Sequence, residues 1–188
     1  MDNHTEIDDQ KPQAIELVKK WHRTGFISVS YWAYADKVII EIGATDPDNG
    51  NALKGATKCF LPAPQFLSYL HAEVHGTIER IYSDFTPTGK GVSFFGGTIS
   101  PVVISRIFNS KVYLDYKNNN APDFFFRTFT CAHYEGTTRD KGVVIPNYKA
   151  EISRNTMKLS LIDIAEIYHL VNTQMIVETM LDAMVEHK

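Results

Sequence analysis

The chain has 188 residues, 44% hydrophobic and 22% charged, enough apolar material to bury a sizeable core in one large domain or two small ones. Its formal net charge of −3 excludes a histone-like polycation, and no apolar run approaches the ~18 residues of a membrane-spanning helix. Acidic residues gather at both ends, while the stretch from Lys37 to Lys158 is mildly basic, which allows a phosphate-binding face. The start MDNHTEIDDQ is polar and acidic, unlike a secretory leader, so the expectation is a cytoplasmic protein with Cys59 and Cys131 reduced.

In chain order, residues 1–11 read as a tail. Pro12 to Arg23 spaces Ile15, Leu17, Val18 and Trp21 at roughly helical intervals, and Gly25 follows as a stop, predicting a short helix. FISVSYWAY (Phe26 to Tyr34) is rich in β-formers, Ala35-Asp36 reads as a tight connection, and Lys37 to Ile42 as the return strand. TDPDNGN has turn composition. A third strand is predicted over Ala56 to Leu61, ended by Pro62 and Pro64, which suit a helix start. Phe66, Leu67, Leu70 and Val74 then form a helical stripe. Ile78 to Tyr82 fits either a continued helix or a strand, and the prolines and glycines up to Ser100 read as a connection.

Beyond it, Val102 to Phe108 and Lys111 to Tyr116 are predicted as a hairpin around Asn109-Ser110. Phe124 to Tyr134 and Val143 to Arg154 are predicted as a further strand pair, with Pro146 marking an edge or bulge. A long helix is predicted from Leu159-Ser160 to about Val185, with Leu161, Ile164, Ile167, Tyr168, Val171, Met175, Ile176, Met180 and Met184 apolar along it.

Two stretches recur. KVIIEIG from Lys37 resembles KVYLDYK from Lys111, an offset of 74 that also sets Trp32 on Arg106 and Tyr34 on Phe108. LPAPQFLSYL (61–70) resembles LSLIDIAEIY (159–168) at an offset of 98. Two copies of one β-meander–helix unit are therefore expected, the first one trimmed by a strand. The boundaries are a tail and short helix over 1–25, a first unit over 26–85, a connection over 86–100 and a second unit over 101–188.

A β-meander running into one helix, present twice, resembles the positive-cofactor-four and Whirly group of single-stranded DNA-binding proteins. The stretches that carry the resemblance are ATKCFLPAPQFLSYL (Ala56 to Leu70) and EISRNTMKLSLIDIAEIYHLV (Glu151 to Val171). It implies an α+β fold of two tandem antiparallel β-meander–helix units related by a pseudo-two-fold, and non-catalytic binding of single-stranded DNA or RNA in replication, recombination or transcription, with no cofactor. Independently of the resemblance, single strands are held by stacking bases on rings and tracking phosphates with Lys and Arg. A sheet covered by helices on one face exposes alternate residues on the other. The candidates for that face are Trp32, Tyr34, Lys37, Arg106, Phe108, Lys111, Tyr113, Phe125, Arg127 and Phe129.

Other constellations are weaker. His71 and His75 in HAEVH have the i, i+4 spacing of a metal pair, but the Glu is misplaced for HExxH and no third ligand is evident beyond Cys59 or the Cys131-x-His133 pair. Glu41 and Asp115 fall at equivalent repeat positions without a neighbouring acid, and Arg139-Asp140-Lys141 reads as a solvated turn. There is no Walker loop, GxGxxG or nucleophile elbow. The Met-rich run Met175, Ile176, Met180 and Met184 suits either core or a partner helix, and the expected partners are a nucleic-acid strand and a second copy of the chain. Two rival readings stand beside strand binding: a self-assembly or protein-interaction module that uses the sheet and this helix without nucleic acid, and, ranked last, a metal-dependent enzyme using His71, His75 and the strand acids.

Overall fold

A computed structural model describes residues 13–82, 91–95, 101–107, 126–138 and 144–186. The protein is α+β. Strands β1 (Ile15–His22), β2 (Gly25–Trp32), β3 (Lys37–Asp46) and β4 (Ala52–Pro62) form one antiparallel sheet in sequence order and run into helix α1 (Ala63–Val74). A short helix α2 (Ile78–Ile81) follows. Strands β5 (Gly91–Phe95), β6 (Pro101–Ile107), β7 (Phe126–Thr138) and β8 (Val144–Ser160) form a second antiparallel sheet, also in sequence order, and run into helix α3 (Leu161–Glu186). Among the described residues no helix is long and apolar enough to cross a membrane.

The two helix starts fall where the sequence places them, at Ala63 and Leu161. At α3 the Ser160 hydroxyl accepts from the Asp163 backbone N–H, and the Asp163 carboxylate accepts from both the Ser160 N–H and its hydroxyl, a capping box. At α1 Pro62 holds the cap position without a side-chain bond. The Ala35-Asp36 connection is tight as expected: Asp36 takes φ 47° and accepts the Tyr31 hydroxyl.

Three expectations change. The segment over Pro12 to Arg23 is not a helix but strand β1, whose ladder with β2 skips a residue between Glu16 and Val18. That bulge puts Leu17 and Val18 side by side at half-buried positions, which gives an extended strand apolar spacing like a helix's. The first sheet therefore has four strands and is not trimmed. The expected connection over 86–100 contains β5, which pairs with β6. Finally, the partner of β6 is β7, not a strand at Lys111 to Tyr116, which lies outside the described residues.

One core serves both sheets. Ile27, Val29, Tyr31, Val38, Ile40, Ile42, Cys59 and Leu61 of the first sheet meet Phe129, Cys131, Met157 and Leu159 of the second. Phe66, Tyr69 and Leu70 of α1 and Ile164, Ile167 and Val171 of α3 complete it. Polar contacts stitch the sheets at its rim: Asn155 Nδ2 donates to Thr57 Oγ1 at 2.7 Å, and Thr57 Oγ1 lies 3.1 Å from Ser153 Oγ.

Candidate nucleic-acid interface

Alternation assigns each strand of the first sheet two faces. Odd positions of β2 and even positions of β3 enter the shared core, as do Thr57, Cys59 and Leu61 of β4. The opposite face carries Lys19 and Trp21 from β1, Phe26, Ser28, Ser30 and Trp32 from β2, Lys37, Ile39 and Glu41 from β3, and Lys58 and Phe60 from β4. At one end the Lys19 ammonium sits 5.1 Å from the Trp21 ring centroid and 4.4 Å from that of Phe26. Those rings are 5.0 Å apart, and Trp21 is 63% exposed. At the other end Trp32 lies 6.4 Å from Phe60 and 6.3 Å from Tyr34, which is 71% exposed at the turn. Lys37 opens β3 beside this second group. Between them Lys58 and Glu41 form an ion pair at 3.2 Å.

Gly43 is what lets the Phe26 ring lie across β3. A Cβ there would stand 2.2 Å from a Phe26 ring carbon, so only glycine leaves room for the ring to cross β3. Phe26 is consequently buried and forms the floor, with Trp21 and Lys19 above it.

Of the sequence-predicted residues, Trp32, Tyr34 and Lys37 are brought together on this rim. Arg127 and Phe129 are not: both are buried, on the core side of β7. The alternation that groups them holds, but their shared face is the inner one. Arg127 is held there by Glu73 of α1, donating from Nε and Nη2 at 2.5 Å each to the two carboxylate oxygens, while the Tyr69 hydroxyl donates to the same carboxylate at 2.7 Å. Burial first, and then the Glu73 charge, push the Tyr69 phenol well above its ordinary pKa. Arg106 stands opposite Arg127 in the next-to-last pair of the β6–β7 ladder. Phe108, Lys111, Tyr113 and Phe125 lie outside the described residues, as do Asp115 and Arg139-Asp140-Lys141. Lys19, Trp21, Phe26, Lys58 and Phe60 were not among the sequence candidates, although KKWH and KCF each set a lysine one or two places from a ring.

The outer face of the second sheet differs. Its described positions are Thr128 and Thr130 of β7 opposite Lys158 and Thr156 of β8, then Ala132 opposite Arg154. Arg154 is engaged by Glu151 and the Tyr134 hydroxyl. That face carries threonines and cations, and its ring pair is Tyr134 edge-on to Tyr148 at 5.1 Å beside Arg154.

Metal chemistry gains nothing from the geometry. The His71 and His75 rings are 4.2 Å apart with Tyr168 edge-on to both, and among the described residues no group of three His, Cys, Asp or Glu could hold an ion. Cys59 and Cys131 are buried in the core, and His133 Nε2 sits 2.7 Å from the Lys58 carbonyl. No family model, no curated protein and no solved structure matches the chain.

Proposed function

We propose that the protein is a non-catalytic binder of single-stranded nucleic acid, with DNA the expected ligand, acting in replication, recombination or transcription from a cytoplasmic location. The observation that carries the reading is the outer face of the first sheet. Two aromatic groups, Trp21–Phe26 and Trp32–Phe60, lie on one surface with Lys19, Lys37 and Lys58 interleaved. Flat rings accept any base by stacking, and lysines follow the phosphates, so such a face binds strands with weak sequence preference.

The same reading treats the chain as a doubled β-meander–helix body of the Whirly type with a pseudo-two-fold. Its support is positional. Cys59 and Leu61 of β4 correspond at the offset of 98 to Met157 and Leu159 of β8, and all four are buried, each pair lying four and two residues before a helix starts. The ladders refine the first offset. Tyr31 faces Val38, which faces Leu61; Arg106 faces Arg127, which faces Leu159. Arg106 is thus the counterpart of Tyr31 rather than of Trp32, an offset of 75, and by the same ladders β3 corresponds to β7 rather than to the stretch at Lys111.

The test is fluorescence anisotropy of a labelled ~30-nucleotide single strand at low and moderate salt. Binding that weakens steeply with salt is expected. Trp21→Ala and Trp32→Ala should each cost roughly 1–3 kcal/mol, about 5- to 150-fold in Kd. Absence of binding at low salt, or binding indifferent to both tryptophans, would remove this face as the platform.

A further inference from the structure

Helix α3 changes sides along its length. In its first half Ile164, Ile167 and Val171 are buried against the sheets and α1. In its second half the large apolar residues are exposed: Ile176 47%, Val177 41%, Met180 63%, Leu181 50%, Met184 67% and Val185 73%. They recur as adjacent pairs every four residues, so they form one broad uncharged stripe. Of the acids of this half, Glu178 and Asp182 lie elsewhere on the helix and line a polar groove with Tyr31, Tyr34 and Asp36. The stripe borders an open groove of about 490 Å³ between the helices, lined by Leu67, Met175, Ile176, Thr179, Met180 and Ala183 among others.

We propose that this stripe pairs antiparallel with the same stripe of a second copy, about a two-fold axis near Met180. At 41–73% exposure the six side chains form an apolar patch at or above the ~300–600 Å² of the largest patch on a typical monomer. Laid face to face with a second copy, such a patch approaches the lower end of the ~1,200–2,000 Å² of a stable interface. Geometry favours self-pairing. Met184 lies four residues beyond Met180 and Ile176 four before it, ~6 Å each way at 1.5 Å per residue. A two-fold at Met180 therefore delivers each Met184 to the partner copy's groove beside Ile176 and Leu67, where a flexible thioether can fill an irregular space. Charge argues against the competing occupants. Residues 161–186 hold five acids and no Lys or Arg. Such a helix is repelled by anionic lipid and by nucleic acid, whereas membrane-surface helices carry basic polar faces. The inference stands apart from the nucleic-acid reading, since the stripe shares no residue with the aromatic face.

The test is sedimentation velocity of the full chain at about 50 µM, where an interface of micromolar Kd is occupied. The wild type should sediment at twice the chain mass, and the Met180→Glu/Met184→Glu variant at the chain mass with an unchanged circular dichroism spectrum and melting point. Mild oxidation by oxidised glutathione of a Met180→Cys variant should link two chains, each disulfide forming as the oxidant is reduced to two glutathione thiols. The same change at Ile162, which is 80% exposed but outside the stripe, should link them far more slowly. A wild type at the chain mass, a double variant still at twice that mass, or equal cross-linking at 180 and 162 would each overturn the proposal.

Discussion

Arg127 shows how one side chain decides between two readings of a strand. An arginine flanked by phenylalanines reads as a binding group, yet here it is 4% exposed and fixed by both oxygens of Glu73. Truncating one member of such a pair leaves the other charge buried and unpaired, so Arg127→Met should cost ~3–5 kcal/mol. Adding Glu73→Gln should restore part of that loss; urea denaturation of both variants measures the difference, and a loss under ~1 kcal/mol for the single change would mean the pair is solvated. Gly43 makes a second residue-scale prediction. Gly43→Ala drives its methyl into the Phe26 ring, and overpacking of this kind costs ~1–3 kcal/mol. The same variant should weaken strand binding, because Phe26 is the floor under Trp21. Tyrosines supply the pH dependence. Burial first, then Asp36, pushes the Tyr31 phenol up to about 12, and Tyr69 is raised for the same first reason. Both folded-state values exceed the unfolded value near ~10, so both contributions are complete below pH ~10 and fall away above it, that of Tyr31 as pH rises through about 12. Melting temperature should fall steeply across that window, and Tyr31→Phe should make the fall shallower; an identical slope in the variant would exclude Tyr31 as a source.

At the scale of elements, what the sequence displayed clearly was where helices begin. Ser160-x-x-Asp163 is a cap written in four residues, and Pro62 and Pro64 end a ladder by lacking N–H donors. Removing the cap hydroxyl by Ser160→Ala should cost about 1 kcal/mol. Guanidinium denaturation would show it, and no change would mean that the Asp163 bond to the Ser160 N–H suffices. Strand β1 was hidden because its bulge interrupts the alternation on which strand reading depends. With it went Lys19 and Trp21, half of the candidate face, and Lys20, which crosses to α3 and bonds Glu166 at 2.5 Å and Asp163 at 3.0 Å. Asp163 answers to that arrangement. Burial alone would raise its pKa, but the bonds from Ser160 and Lys20 outweigh it and hold the carboxyl below its usual value. The inner or outer sense of β7 was equally illegible, since Phe126, Phe129 and Arg127 suit both faces until α1 brings Glu73 to one of them.

For the whole molecule the decisive fact is that the two sheets share one core, so neither half has an apolar interior to keep when the other leaves. Cys59 belongs to the first sheet and Cys131 to the second, and both are buried. Hydrogen bonding to Cys59 is the first cause, ahead of burial, that raises the Cys131 thiol well above its ordinary pKa, so the two sulfurs meet where the sheets meet. A thiol reagent needs access to the sulfur, and burial denies it at both cysteines in the closed molecule; at Cys131 the raised pKa also disfavours the reactive thiolate. Both cysteines should therefore be silent to an aromatic disulfide reagent in the native state and react only through opening. If the halves open together, mass spectrometry of partly labelled protein will find unmodified and doubly modified chains with little singly modified product at every urea concentration. The reaction rate will then follow the global unfolding free energy, and Arg127→Met, which cuts the bridge between α1 and β7, will raise it at both cysteines by the same factor. A population labelled at Cys131 alone would instead mean that the second sheet opens while the first stays closed, and the shared core would then be two cooperative units in contact rather than one.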